Sequence, residues 1–148
     1  MIYEQYVSIV LLATLFLPVI GALLLILLKR DSESIRSIAL SITILNLFIS
    51  LSILLGKDIL WSGAGLSWSA GEYGVNPVVP YVNAVFGLKL DGLSLPLVFL
   101  TNLLAVVAVL ASWRIKQRIK EYHFWLLILI SGVLGVFMSS DLLFFFLF

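Results

Sequence analysis

The sequence predicts an all-α membrane protein with four complete transmembrane helices and the start of a fifth. Apolar residues make up 62% of the 148 residues and charged residues 11%, whereas soluble domains contain about 45–50% and 25%. Four runs also carry no charge, counting His123 as neutral: 5–28, 37–56, 92–113 and 122–140. A helix of about 17–25 residues crosses a hydrocarbon layer, so each run is long enough to do so.

We therefore expect helices at 7–28, 35–56, 92–113 and 123–140, and the beginning of another at 141–148. A long loop at 57–91 and a short basic loop at 114–122 connect them. The first helix lacks the basic start and the cleavage site of a signal peptide, so we expect it to be retained. Pro18, near its middle, is a structural residue that should kink the helix.

The basic residues predict how the helices are oriented. Seven of the nine lie in or beside the two short connections, if four helices cross in turn: Lys29, Arg30, Arg36, Arg114, Lys116, Arg118 and Lys120. Short loops rich in Lys and Arg stay in the cytoplasm. The N-terminus, the 57–91 loop and Asp141 should then face outward, which in a bacterial inner membrane is the periplasmic side.

The composition also excludes several classes of function. The chain has no cysteine, so disulfides, thiolate metal sites and cysteine nucleophiles are ruled out. A net charge of +1 gives no basic field for nucleic acid. The 57–91 loop is rich in Gly, Pro, Trp and Tyr, a composition typical of an interfacial cover over helix ends.

The predicted helices carry small and weakly polar residues on one face, which favours close packing against other helices. These positions are Ala39, Thr43, Asn46 and Ser50 in the second helix; Thr101, Ala105, Ala108 and Ser112 in the third; and Ser131, Gly135 and Ser139 in the fourth. No charged residue lies centrally in a predicted span, although transporters and pumps usually place one there. The sequence therefore shows no proton relay, no catalytic residue and no metal or cofactor site.

Three ionisable residues near helix ends have a structural and a functional interpretation. Asp141 is either the N-cap of the fifth helix or an acid at the outer mouth of a proton path, and it is our only proton-path candidate. Asp91 is expected to start the third helix. His123 is expected to lie at the cytoplasmic interface with its ring reaching the headgroups, and the alternative is a proton shuttle.

The chain is expected to be the first part of a longer protein. Only seven apolar residues follow Asp141, and they rise only about 10 Å, while a bilayer core is about 30 Å thick.

Three segments carry a family resemblance. They are 90–97 (LDGLSLPL), Ser112-Trp113-Arg114 followed by Lys120-Glu121-Tyr122, and 135–148 (GVFMSSDLLFFFLF). They resemble the antiporter-like membrane subunits of respiratory complex I, most specifically subunit M of bacterial NADH:quinone oxidoreductase, the counterpart of mitochondrial chain 4. The resemblance is strong over 87–148. Over the first two helices only hydropathy and topology fit.

This resemblance implies the N-terminal part of a fourteen-helix subunit that couples electron transfer from NADH to quinone with proton translocation. It implies no cofactor in this chain, because the NADH, flavin, iron–sulfur and quinone sites lie in partner subunits. The implied partners are the other membrane subunits of complex I and the lipid bilayer. In the family a Trp-Glu pair follows the phenylalanine run and its Glu carries protons, but this chain ends before that position, so by itself it should be inactive.

Two other functions remain open from the sequence. The chain could belong to a multisubunit cation/proton antiporter or a membrane-bound hydrogenase, which share the same hydropathy. It could instead be a small non-enzymatic membrane packing protein or an inactive truncated product.

Overall fold

The computed structural model describes residues 2–27, 32–60, 67–69, 88–91, 93–139 and 142–148. Four long helices span Ile2–Leu27 (α1), Ser32–Leu60 (α2), Ser94–Ala111 (α3) and Ile119–Met138 (α4), and a short helix (α5) spans Leu142–Leu147. Two three-residue strands, Ser67–Ser69 (β1) and Lys89–Asp91 (β2), precede α3, and a 3₁₀ turn at Ser112–Arg114 follows it. Each of α1 to α4 contains a segment long and apolar enough to cross a membrane. The predicted four-span helical fold is therefore confirmed, with two short strands added.

The four long helices pack as a bundle in which each runs opposite to the next along the chain. α1 packs against α2 and α4, and α3 packs against the same two helices from the other side. At one end, the Arg36 side chain reaches the Ile115 carbonyl and the Lys120 side chain reaches the Ile26 carbonyl. At the other end, Leu88 forms an antiparallel bridge with Ser139. Arg36 of α2, Lys120 of α4 and the basic residues of the 112–118 connection thus share one end, and the strands lie at the opposite end.

The helices separate a buried face from an apolar outer face. On α1, Leu11, Leu15 and Leu25 are buried, whereas Ile20 and Leu27 are exposed. Both faces are hydrophobic, so water exclusion alone does not decide which face turns inward. An apolar outer surface is what a helix surrounded by lipid requires, and small and polar residues then mark the inward face.

The two strands close the end of the bundle opposite the basic residues. They pair antiparallel, with Ser67 opposite Asp91 and Trp68 opposite Leu90. Leu88 and Leu90 are buried, and β2 contacts both α3 and α4. Part of the predicted interfacial cover is thus a strand packed on the helix ends. The rest of the predicted loop, at 61–66 and 70–87, lies outside the described residues.

The prediction that Asp91 starts the third helix is wrong. Asp91 is the last residue of β2 and pairs with Ser67, which holds its backbone in an extended conformation. The helix begins at Ser94, and Leu93 occupies the N-cap position without a side-chain hydrogen bond. The strand pairing therefore decides where α3 can begin.

Helices α1 and α2 approach closely at Gly21. A Cβ atom at this position would lie 2.6 Å from Cδ1 of Ile42 and 3.1 Å from its Cγ2. Such distances are shorter than van der Waals contact, so a side chain at position 21 would displace Ile42. Gly21 thus allows the Ile42 side chain to pack directly on the α1 backbone.

Gly21→Val should destabilise the chain by about 1–3 kcal/mol, because overpacking forces a side chain from its rotamer or moves the backbone. Ile42→Ala removes the atoms that would clash. The double variant should therefore lose at least about 0.5 kcal/mol less than the sum of the two single losses. Unfolding of the detergent-solubilised chain by dodecyl sulfate, followed by far-UV circular dichroism, measures each loss.

Leu23→Val on the exposed side of α1 is the matched control and should change stability by less than about 0.5 kcal/mol. Strict additivity of Gly21→Val and Ile42→Ala would show that the close approach does not limit the residue at position 21.

Candidate functional site: buried polar contacts between the helices

The described helices carry hydrogen-bonded polar side chains at two levels of the bundle. The first set, the interior polar cluster, consists of Thr14, Asn46, Asn102 and Ser131, all at most 4% exposed. The second set, the basic-end cluster, consists of Arg36, Ser112, Lys120 and His123. A polar group in hydrocarbon has no water to bond, so the interior polar cluster must satisfy its donors and acceptors within the protein. In the basic-end cluster Ser112 and His123 are buried, whereas Arg36 and Lys120 are only partly buried.

The interior polar cluster lies at the turn of α1 whose hydrogen bonding is changed by a proline. Pro18 lies inside α1, and the helix continues from Ile2 to Leu27. A proline has no backbone N–H, and its ring crowds the carbonyl four residues earlier. That carbonyl belongs to Thr14, which therefore loses its intrahelical donor. In a membrane such a carbonyl needs a donor from elsewhere in the protein.

Asn46 of α2 supplies that donor. Its Nδ2 lies 3.2 Å from the Thr14 carbonyl oxygen and 3.0 Å from Oδ1 of Asn102 on α3. One amide group thus links three helices through two buried hydrogen bonds. Asn46 Oδ1 and Asn102 Nδ2 are buried and have no protein partner.

The next carbonyl of α1 joins the fourth helix to the same turn. The Ser131 hydroxyl of α4 donates to the Leu15 carbonyl at 2.8 Å. The consecutive carbonyls of Thr14 and Leu15 therefore accept hydrogen bonds from α2 and α4. Hydrogen bonds of this kind contribute about 0.6–2 kcal/mol each between helices in membranes.

The other buried hydroxyls of this region bond within their own helices. Thr14 donates to the Val10 carbonyl, Thr43 to the carbonyls of Ala39 and Leu40, and Ser50 to the Leu47 carbonyl. None of these groups ionises near neutral pH. The interior polar cluster can hold helices together and bind hydrogen-bonding molecules, but its residues cannot carry a proton as a charged side chain does.

The basic-end cluster is built around His123, the fifth residue of α4. Its ring is fully buried. Nδ1 lies 2.8 Å from the Ile119 carbonyl and Nε2 lies 3.1 Å from the Ser112 hydroxyl. A carbonyl only accepts, so Nδ1 carries the hydrogen of that bond. The Ser112 hydroxyl also lies 2.7 Å from the Val109 carbonyl. It has a single hydrogen, so it can donate to only one of its two neighbours, this carbonyl or Nε2, at a time.

This burial corrects the prediction for His123. We expected an interfacial ring that reaches the headgroups. The ring instead packs inside the corner between α3 and α4, where two hydrogen bonds replace those that water would give. Ser112 ends the polar stripe predicted on the third helix, and that stripe is what provides the partner of His123.

Two basic side chains of this cluster donate hydrogen bonds to backbone carbonyls of neighbouring segments. An N–H of the Arg36 guanidinium donates to the Ile115 carbonyl at 2.7 Å, and the Lys120 ammonium donates to the Ile26 carbonyl at 2.6 Å. Ile26 lies in the last turn of α1, where carbonyls lack intrahelical donors and a positive charge is favourable. These residues therefore stabilise helix ends and connections, and they belong to the basic set from which the orientation was predicted.

Asp141, the proton-path candidate, lies outside the described residues. Pro18 is buried inside α1, and its kink stays a prediction. Among the described residues, no three His, Asp or Glu side chains come together as metal ligands would.

The sequence interpretation missed Thr14 and Asn102. The position of Thr14, four residues before a proline, was a signal that could have identified it.

Comparisons with known proteins give a consistent relationship, although no family model matches the chain. The chain is 30% identical over 137 residues to NAD(P)H-quinone oxidoreductase chain 4 2 of Thermosynechococcus vestitus, covering 93% of this chain and 24% of that protein. It is 45% identical over 69 residues to chain 4 1 of Synechococcus elongatus, covering 47% of this chain and 13% of that protein. It is also 44% identical over 68 residues to the chloroplastic chain 4 of Chlorokybus atmophyticus, covering 46% and 13%. The chain spans at most about a quarter of the length of these curated relatives.

The geometry around Pro18 predicts an energetic coupling between Pro18 and Asn46. In the native chain, Asn46→Leu leaves the Thr14 carbonyl without a donor, which should cost about 1–3 kcal/mol. In a Pro18→Ala background, residue 18 has a backbone N–H for this carbonyl. The loss on Asn46→Leu should then be smaller by about 0.5–1.5 kcal/mol, as measured by unfolding in dodecyl sulfate.

Thr101→Val serves as the control, because it removes a hydrogen bond inside α3, from Thr101 to the Leu97 carbonyl. Its cost should agree in the two backgrounds within about 0.5 kcal/mol. If Asn46→Leu cost the same with and without the proline, Asn46 would not be serving the carbonyl that Pro18 frees.

Proposed function

Because this chain is homologous to NAD(P)H-quinone oxidoreductase chain 4 over 137 residues, we propose that it forms part of the membrane-embedded portion of a proton-translocating quinone oxidoreductase. That similarity, which covers nearly the whole chain, is the observation that carries the proposal. The four-span bundle supports it, since such an enzyme needs a subunit built from transmembrane helices. The names of the relatives also favour this role over an antiporter, a hydrogenase or a packing protein.

Within that enzyme, the chain has a non-redox role. The interior polar cluster consists of amides and hydroxyls, which neither exchange electrons nor ionise near neutral pH. The chain would therefore contribute a packed helical frame to the enzyme. Reduced nicotinamide, flavin, iron–sulfur clusters and quinone would bind in partner subunits. The partners of this chain are then other membrane subunits of the complex and the lipid around them.

The proposal also includes an orientation. The basic-end cluster lies on the cytoplasmic side of a bacterial cell membrane. The paired strands β1 and β2 and the start of α1 lie on the outer side. The support is the concentration of basic residues at one end of the bundle, which short cytoplasmic loops show in other membrane proteins. The exposed Arg118–Glu121 pair, 3.5 Å apart, lies at that same end.

An affinity tag on this chain tests the functional role. Solubilised membranes of the source cells should yield, through the tag, a complex that oxidises NADH or NADPH with a quinone as acceptor. Disrupting the gene should abolish nicotinamide-driven proton uptake by membrane vesicles, while uptake driven by ATP persists as the control. The chain expressed alone in lipid vesicles should give no proton flux above empty vesicles.

Recovery of the tagged chain in a complex without quinone reductase activity would contradict the proposal. Unchanged nicotinamide-driven proton uptake after gene disruption would contradict it as well.

Single engineered cysteines test the orientation, and the cysteine-free sequence supplies the background. A cysteine at Gln117, in the basic connection before α4, should react with a membrane-impermeant maleimide only when the cytoplasmic face is accessible. A cysteine at Ser69, in β1, should react only from outside. Labelling of both positions from one face would exclude four crossings. Labelling of Gln117 only from outside and Ser69 only from the cytoplasm would show that the orientation is the reverse of the proposed one.

A further inference from the structure

The two buried amides of the interior polar cluster have unused hydrogen-bonding capacity. Asn46 and Asn102 are each 1% exposed. Asn46 Nδ2 has two hydrogens, and they point to two acceptors, the Thr14 carbonyl and Asn102 Oδ1. Asn46 Oδ1, an acceptor, and Asn102 Nδ2, a donor, have no protein partner.

The observed bonds fix the orientation of both amides. Rotating the Asn46 amide by half a turn would place its oxygen against two other acceptor oxygens. Rotating the Asn102 amide would place its NH₂ against the NH₂ of Asn46. Each rotation replaces an attraction by a repulsion, so the assignment of nitrogen and oxygen follows from the network. The unpartnered atoms are therefore one acceptor and one donor, located on neighbouring residues.

These atoms lie deep within the bundle. Asn46 is nine residues from the end of the apolar segment Glu33–Leu55, and Asn102 is eight residues from the start of Ser94–Arg114. At 1.5 Å per residue, both lie about 12–14 Å from the ends of these segments that are next to the paired strands. Both atoms are buried from solvent, so their partner has to be a molecule held inside the bundle.

We propose that the Asn46–Asn102 pair binds one internal water molecule. The water accepts a hydrogen bond from Asn102 Nδ2 and donates one to Asn46 Oδ1. A buried water typically makes about three hydrogen bonds. Thr43 and Ser50 lie three residues before and four residues after Asn46, on the same buried face of α2. Their hydroxyl oxygens retain acceptor capacity for the second hydrogen of the water.

Solid-state NMR on the whole chain in lipid bilayers tests this site. The chain has only four asparagines, at positions 46, 76, 83 and 102, so ¹⁵N-asparagine labelling gives few side-chain signals. Asn102→Leu identifies the Asn102 NH₂ signal by removing it. We expect magnetisation transfer from a slowly exchanging water to the Asn102 NH₂ group. Thr14→Val retains the Thr14 carbonyl and the amide pair, so it should preserve the transfer as a matched control.

Asn46→Leu removes the acceptor side of the site and should abolish the transfer. If that variant does not fold, the native chain still decides the question. Absence of transfer from water to Asn102 would overturn the proposal, and direct coupling between Asn102 Nδ2 and the Asn46 carbonyl group would show that the amides bond each other instead. Transfer of undiminished intensity in folded Asn46→Leu would also overturn it, because the amide would then be in contact with water without the proposed site.

Discussion

The bundle depends on a single backbone carbonyl that proline leaves without its helical partner. Pro18 removes the N–H that would bond Thr14, and hydrocarbon offers no replacement. Asn46 supplies one and at the same time bonds Asn102, while Ser131 bonds the adjacent Leu15 carbonyl. The gap that Pro18 leaves in α1 thereby links α2 and α3 to this turn, and the neighbouring Leu15 carbonyl adds α4. Since lipid is as apolar as the helix surfaces, directional contacts of this kind decide which faces turn inward.

The opposite requirement operates at the basic end, where charge has to be placed close to water. Arg36 and Lys120 bond carbonyls of the segments that follow α3 and end α1. His123 is held between Ser112 and its own helix. Charge and hydrogen bonding act together here, because terminal carbonyls attract cations and need donors. The residues on which the proposed cytoplasmic orientation rests thus also hold the helix connections together.

Sequence patterns predicted the helices well because hydropathy in a membrane is nearly a direct measure of location. Four uncharged runs gave four helices, and the small-residue stripes correctly placed Asn46, Ser112 and Ser131 on buried faces. The start of α3 was missed because strand pairing with Ser67, a non-local contact, holds Asp91 extended. His123 was placed at the interface because its sequence neighbours are polar, whereas its partner Ser112 belongs to another helix. Asn102 does not follow the spacing of the small-residue stripe on the third helix, so only the folded bundle identified it.

The choice of amides and hydroxyls rather than acids and bases limits what this chain can contribute to the proposed proton-translocating enzyme. A charged residue at the centre of a span costs about 2.5–3.5 kcal/mol by insertion scales, and proteins tolerate it where ion movement requires it. Amides bond helices at lower cost and remain neutral throughout a transport cycle. In the proposed enzyme, these helices would keep fixed positions while charges move in other segments. A bundle locked around the Thr14 carbonyl suits that frame-like role, because its hydrogen bonds do not depend on the protonation of any group in the interior polar cluster.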